Sequence, residues 1–311
     1  MWKFASNHLD RNSLYRQDNV HVLAKLKHQN SVLVMVNQHT DILFSASGVE
    51  PANGRHYFSP DIADLTAIAQ QYDMIYLGDL ADAAWFAVIV DSDEQQFSSR
   101  FHDHWRGLRQ SLGLIEEPIA TILAYAKAMC YWHLTHQFCG TCGGSTQPTK
   151  AGHQRRCDSC ETDHFPRTDS AIITSVTYQD ELLLARQQNW PAKRYSVLAG
   201  FVEPGESFEQ AVKREVAEES GLSVSQIKYV GSQPWPFPSS LMVGFSAVAD
   251  SQKLALHDQE LEHALWVSPN SLAEQLDAKT ILLPTRQSIS FALINNWATK
   301  HDLDLTPWLD S

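Results

Sequence analysis

The sequence predicts a mixed α/β protein with three parts: an α+β N-terminal domain, a short cysteine-built ribbon, and a C-terminal domain of mixed β-sheet with helices. Three observations carry this. Runs rich in β-branched and aromatic residues, such as SVLVMVN (31–37) and AAWFAVIVD (83–91), alternate with helical stretches. Two CxxC pairs stand in the middle of the chain. A loop with glycine and proline runs into an acid-rich helix at 200–222. At 311 residues and 43% hydrophobic content, the chain can bury a large core and hold two domains. A formal net charge of −12 excludes a global attraction to nucleic acid or an anionic membrane, leaving room only for a local basic groove. No apolar run reaches the roughly 18 residues of a transmembrane helix. The start, MWKFASNHLDRNS, lacks the apolar core of a signal peptide, which points to the cytoplasm.

In order, 31–37, 41–47, 74–80 and 83–91 read as strands, and Pro60-Asp61 open a helix, PDIADLTAIAQQY. His21, His56, His102 and His104 are scattered and read as surface or core residues. FHDHWRGLRQSLGL (101–114) is either a connecting segment with solvated arginines or a place where Arg109 meets a phosphate or carboxylate. Residues 116–136 form a helix with Pro118 in its first turn and Cys130 as a buried, inert thiol. Fourteen residues separate Cys139-x-x-Cys142 from Cys157-x-x-Cys160. This spacing makes two knuckles whose sulfurs face one tetrahedral Zn²⁺; two disulfides or free thiols are the alternative. Four thiolates leave no open coordination position, so such a site is structural. Lys150, Arg155 and Arg156 read as solubilising charges. Strands follow at 171–178, 181–187 and 195–203, then at IKYVGSQPW, SLMVGFSAVAD and HALWVS, with a final helix from about Thr285 to Lys300. Domain boundaries fall at 1–130, 131–166 and 167–311.

Gly200–Leu222 organises the rest. Ser207 suits an N-cap with Gln210 completing a capping box, and Gly221 suits the left-handed stop. The core-facing stripe should be Phe208, Ala211, Val212, Glu215 and Glu219, with Glu218 on its flank. Burying ionised carboxylates without partners is unfavourable by several kcal/mol or more each. Either the helix is a solvated acidic surface, or a divalent cation such as Mg²⁺ or Mn²⁺ accompanies the acids. Further on, SQPWPFPSS (232–240) is loop-like, and its prolines would hold Trp235 and Phe237 rigidly. Those rings either pack internally or form a slot for a flat base, with Gln233, Ser239 and Ser240 at its rim.

The frame Gly200, Glu206, Arg214-Glu215, Glu218-Glu219, Gly221-Leu222 resembles the Nudix box at every fixed position. The resemblance implies an α/β/α sandwich with a mixed β-sheet. It implies catalytic Glu215, Glu218 and Glu219, with metal held by Glu215, Glu219 and the Ala199 carbonyl, and Arg214 orienting a carboxylate. With the four-cysteine ribbon before the box and SQPWPFPxS after it, the chain is similar to the NADH pyrophosphatase branch of that family, whose members also remove NAD caps from RNA. This implies a homodimer that hydrolyses NAD(H) to a nicotinamide mononucleotide and AMP, with NAD-capped RNA as a further substrate. Carried over, Phe201 is an aromatic wall for nicotinamide. Phe165 stands where the family often has Tyr. Gln233, Pro234, Trp235, Pro236, Phe237, Pro238, Ser239 and Ser240 line the substrate. Glu260 is a further metal-linked carboxylate, Ser290 offers a backbone contact, and Arg109 matches a substrate arginine. Ser170 departs from the expected proline after Asp169, which affects a local turn.

The chemistry is metal-assisted displacement at phosphorus, in which Glu218 or Glu219 orients or deprotonates a water; spacing does not choose between them. Two rivals stand: a Nudix hydrolase for ADP-ribose or dinucleoside polyphosphates, and a zinc-ribbon adaptor without catalysis.

Overall fold

The computed structural model describes residues 2–4, 8–28, 30–44, 62–94, 104–256 and 260–308; of 62–66 it describes the backbone alone. The chain divides into two units: Ser6–Thr168 with Pro236–Ser239, and Met1–Ala5 with Asp169–Trp235 and Ser240–Ser311.

In the first of these, β-branched and aromatic runs become β1 (Val32–Asn37), β2 (Ile42–Leu43), β3 (Met74–Leu80), β4 (Ala83–Val90) and β5 (Trp105–Arg106). They form a five-stranded sheet in the order β3-β4-β1-β2-β5. β1 and β4 are parallel and the other pairs antiparallel. β1 is buried along its whole length, so it reads as a continuous apolar run rather than an alternating one. Helix Ile119–Thr135 packs on this sheet, and its Ile122, Leu123, Ala126, Met129 and Trp132 are buried. Cys130 lies in it fully buried, and burial pushes its thiol up. A three-stranded ribbon follows, β6 (Thr146–Thr149), β7 (Gln154–Cys157) and β8 (Asp163–His164). The strand expected at 41–47 is shorter: Ile42–Leu43 pair, and 45–47 lie outside the described residues. His56, Pro60, Asp61 and His102 also lie outside them.

In the second unit, β9 (Asp169–Tyr178), β10 (Glu181–Gln187), β12 (Val224–Trp235), β13 (Ser240–Ala249) and β14 (Leu261–Val267) run in the order β12-β13-β9-β10-β14. β11 (Leu198–Phe201) pairs with β9 to make a six-stranded mixed sheet, with β13 and β9 parallel. The two-residue period of the strands sorts side chains to two faces. Ile172, Val176, Leu183 and Phe245 join the box helix residues Ala211, Val212 and Val216 in one core. Ile173, Leu182 and Leu184 join Leu272, Ile289 and Ile294 in the other. The result is the expected α/β/α sandwich.

Three details differ from the sequence reading. Ser232–Trp235, which the sequence places both at the end of a strand and in a proline-rich loop, belong to β12, and 236–239 are left as the turn. β12 is the outer strand of the sheet, where a proline is tolerated because no second neighbour needs its N–H. The last helix starts at Ile289, capped by Ser288, and a helix at Pro269–Asp277 was not anticipated.

Candidate active site

The box begins where β11 lies antiparallel to β9, with Ala199 opposite Ile173 and Gly200 opposite Ile172. A Cβ on Gly200 would overlap the Glu215 carboxylate, so glycine here lets that acid lie against the strand backbone. Gly205 takes φ 94° in the loop, and Glu203 N–H donates to Glu206 Oε2 at 3.0 Å. Helix Phe208–Ser220 starts with both halves of the Ser207/Gln210 capping box and stops at Gly221, φ 71°. The predicted stripe is shifted. Phe208 is 38% exposed, and the buried face runs through Ala211, Val212, Val216, Glu219 and Ser220. Glu219 is only 2% exposed.

Arg214 ties loop, strand and helix together. Its Nε and Nη2 grip Glu206 in a fork, at 2.7 and 2.9 Å. Nη1 donates to Glu215 Oε1 at 2.9 Å and to Glu218 Oε2 at 3.1 Å, and Nη2 donates to the Phe201 carbonyl at 2.8 Å. The fork holds Glu206 down to about 2. Burial pushes Glu215 the other way, opposed by Arg214 and reinforced by the charges of Glu218 and Glu260. Glu260 therefore acts electrostatically on the box from outside it. The sequence reading gave Arg214 one carboxylate partner and Glu206 no role; the eight-residue separation between them crosses a loop, which periodicity does not reveal.

The expected substrate residues distribute as follows. Phe201 is 59% exposed at the end of β11. Pro234 and Trp235 pair with Leu241 and Ser240 across the β12–β13 ladder. Gln233 is not at a rim: it is fully buried, and its carboxamide is bonded to three backbone groups. Ser290, 6% exposed, shares a 2.6 Å hydrogen bond with Ser196. In the other unit, Phe165 is 64% exposed, and Phe237, in the turn Pro236–Ser239, has the Arg109 guanidinium carbon 5.6 Å from its ring centre. Lys127, which the sequence did not mark, has its ammonium 5.9 Å from the same ring.

The ribbon cysteines converge. Sγ–Sγ separations are 3.6 Å for Cys139–Cys160, 3.5 Å for Cys142–Cys157 and 3.3 Å for Cys142–Cys160. A tetrahedral ion with Zn–S near 2.3 Å spaces its sulfurs about 3.8 Å apart, so the four fit zinc. Backbone N–H groups of Thr141, Ser159 and Cys160 point at Cys139 and Cys157 sulfurs, as two knuckles require. A Cβ on Gly144 would press on Ser159 at 2.6 Å. None of the cysteines is in a disulfide. His164 Nε2 sits 3.2 Å from Cys139 Sγ, a neighbour the CxxC pattern does not announce.

Residues 165–284 match the NUDIX domain, 134–165 the NADH pyrophosphatase zinc ribbon domain, and 28–132 the NADH pyrophosphatase-like rudimentary NUDIX domain. The chain is 30% identical over 340 residues to the NAD-capped RNA hydrolase NUDT12 of Homo sapiens, covering 94% of this chain and 72% of that protein. The chain belongs to the Nudix hydrolase family. This Nudix hydrolase is also 40% identical over 190 residues to the NAD-capped RNA hydrolase NudC of Stutzerimonas stutzeri, covering 61% of the chain and 66% of that relative.

In this Nudix hydrolase the box offers carboxylate and carbonyl oxygens, the donor set of a hard divalent cation. Glu215 and Glu218 each give Arg214 a single oxygen, and Glu219 sits on the buried face beside them. Glu215, Glu219, Ala199 and Glu260 could hold such a cation. The cysteine cluster is a structural zinc-ribbon site, and it holds thiolates with no position for substrate. No described helix of this Nudix hydrolase is long and apolar enough to cross a membrane.

Proposed function

We propose that the chain is a metal-dependent pyrophosphatase that cleaves the diphosphate of NAD(H) to a nicotinamide mononucleotide and AMP, and that it removes NAD caps from RNA 5′ ends to leave monophosphate RNA. The carrying observation is the box helix, whose acids are gathered by Arg214 against the Gly200 backbone. The relatives named NAD-capped RNA hydrolases and the ribbon and rudimentary domains support the substrate.

Mg²⁺ or Mn²⁺, when bound, would neutralise charge on the diphosphate and make a bound water more acidic. Glu215 and Glu219 are the proposed ligands with the Ala199 carbonyl, and Glu260 supports them from outside the box. Arg214 keeps Glu215 and Glu218 oriented through charge-assisted bonds. Glu218, whose side chain is 56% exposed, is the more accessible of the candidate bases, and Glu219 the more buried. Phe201, Phe165, Arg109, Pro234–Ser240 and the Ser290 backbone are proposed to receive the dinucleotide. For Gln233 the proposed contribution is positional. The resemblance supports a homodimer, and cysteines free of disulfides support a cytoplasmic location. We divide the chain at 1–130, 131–166 and 167–311.

Product identification with NADH, NAD⁺, ADP-ribose and NAD-capped RNA under matched Mg²⁺ and Mn²⁺ tests this. The expected products are a nicotinamide mononucleotide with AMP, and monophosphate RNA. Cleavage confined to ADP-ribose, or none at all, would overturn it.

A further inference from the structure

The end of β12 is held by a segment remote from it in sequence. Gly231 and Gly244 face each other across the β12–β13 ladder. Residues directly opposite in a ladder share a face, so two glycines open a notch there. Trp2 and Ile289 fill it. A Cβ on Gly231 would lie 2.5 Å from the Trp2 ring, and one on Gly244 would lie 2.8 Å from Ile289 Cδ1. Trp2 Nε1 donates to the Ser232 carbonyl at 2.8 Å, and Lys3 N donates to the Gln287 carbonyl at 3.0 Å.

Gln233 locks the arrangement. Its Nε2 donates to the carbonyls of Lys3 and Gln287, both at 2.9 Å, and its Oε1 accepts from Ile289 N at 2.8 Å. Ile289 is the first residue of helix Ile289–Lys300, so the last bond satisfies one of the amides that a helix start leaves without an internal partner. The bonding pattern needs an amide: a carboxylate could accept from Ile289 but could not donate to two carbonyls. Three chain segments, at 2–4, 231–233 and 287–289, are thus joined at a side chain that is fully buried. The next residue, Pro234, leads directly into the proline-rich turn.

We propose that Trp2 and Gln233 are positioning residues for the substrate. The Trp2–Phe4 segment, through Gln233, fixes the end of β12 from which the Trp235 ring is presented to the flat base of the dinucleotide. This rests on the reading that Trp235 lines the substrate. Neither residue touches the diphosphate in this account. Their loss should act on substrate fit and leave the box chemistry in place.

The test compares Trp2→Ala, Trp2→Phe and Gln233→Glu with Leu272→Ala, a buried residue of the same unit outside the notch. Each full-length variant is measured for NADH turnover, thermal stability and amide hydrogen exchange. Trp2→Ala and Gln233→Glu should raise KM by about 10-fold with kcat nearly unchanged, the signature of lost fit rather than lost chemistry. Exchange should quicken at Ser232, Gln233, Trp235 and Ile289 and stay unchanged in helix 208–220. Trp2→Phe, which fills the notch without the Ser232 bond, should lie between Trp2→Ala and the parent. Leu272→Ala should lower the melting temperature without raising KM. The proposal is overturned if exchange at 232–235 is unaltered in Trp2→Ala, or if Leu272→Ala changes KM as much. Were the parent not to hydrolyse NADH, the proposed function would fall, and the exchange pattern would still decide the role of Trp2 and Gln233.

Discussion

The two larger sheets of the molecule follow one path and differ in one helix. β12-β13-β9-β10 is an antiparallel hairpin, a parallel pair and an antiparallel pair, and so is β3-β4-β1-β2. In each, a helix precedes the hairpin. In the catalytic unit its last turns read Arg214-Glu215-Val216-Ala217-Glu218-Glu219, followed by Ser220; in the rudimentary one they read Thr66-Ala67-Ile68-Ala69-Gln70-Gln71. One Ala-Glu-Glu stands against one Ala-Gln-Gln. The strand path is common to both sheets, whereas the proposed chemistry depends on a few carboxylates at the end of one helix. The second sheet shares a unit with the zinc ribbon.

The largest expected effect breaks that structural side. Cys157→Ser should abolish zinc retention and unfold the ribbon, because zinc binding in such modules supplies about 10–16 kcal/mol of apparent free energy to folding. Elemental analysis with thermal melting checks this; a zinc-free variant that melts like the parent contradicts it.

A pair of glycines sharpens the comparison next. Gly200→Ala drives a methyl into the Glu215 carboxylate and should lower turnover by about 10²-fold with little change in melting, since displacement of a catalytic group by an ångström has that scale. Gly78, at φ 137°, has Asp10 backbone where its Cβ would be. Gly78→Ala should do the reverse, lowering the melting temperature while turnover per folded molecule holds. Equal kinetic losses in both would remove the distinction between the sheets.

Arg214→Lys comes third. Lysine keeps the charge but cannot fork onto Glu206 while reaching Glu215, Glu218 and the Phe201 carbonyl. Turnover should fall by about 10-fold, and steady-state kinetics on NADH would show it.

How much of this the sequence disclosed depends on how local the cause is. The box helix was legible at both ends because Ser207, Gln210 and Gly221 act within a turn of themselves. The cysteine site was legible because two knuckles are each built from four residues. Its supports were less so: His133 on helix Ile119–Thr135, Thr146 on β6 and Arg155 on β7 form a buried network across three elements. Arg155 was read as a solubilising charge, yet it is 8% exposed. The end of β12 was read two ways, as strand and as proline-rich loop, because an outer strand tolerates a proline that an inner strand does not. Gln233 was misplaced for a different reason: its partner Lys3 is 230 residues away, and no pattern around Gln233 points there.

The smallest effect is on pH. Burial holds His133 and His153 down to about 4, and in the unfolded chain they titrate near 6.5. Both donate through Nε2 to backbone carbonyls, of Gly152 and Tyr76, and remain neutral when folded. Their stabilisation is therefore complete above about pH 6.5 and is lost as pH falls toward 4, by about 2 kcal/mol per histidine at pH 5. Melting between pH 7 and 5 should reveal the loss in the ribbon-bearing unit, and His153→Gln should flatten it. A parent whose melting does not change over that range contradicts the buried neutral state.

The central claim is that the Glu-Glu end of one helix makes the difference between the two sheets. Glu219→Gln tests it most directly, by giving the box helix the residue that ends its silent counterpart. NADH turnover and thermal melting with and without Mg²⁺ or Mn²⁺ are measured together. Turnover should fall by roughly 10²-fold or more, the scale of removing one key electrostatic group, while the fold persists because an amide is easier to bury than a carboxylate. The cation should stabilise the parent more than the variant. Near-normal turnover, with equal stabilisation of both by metal, would contradict the catalytic assignment of this helix.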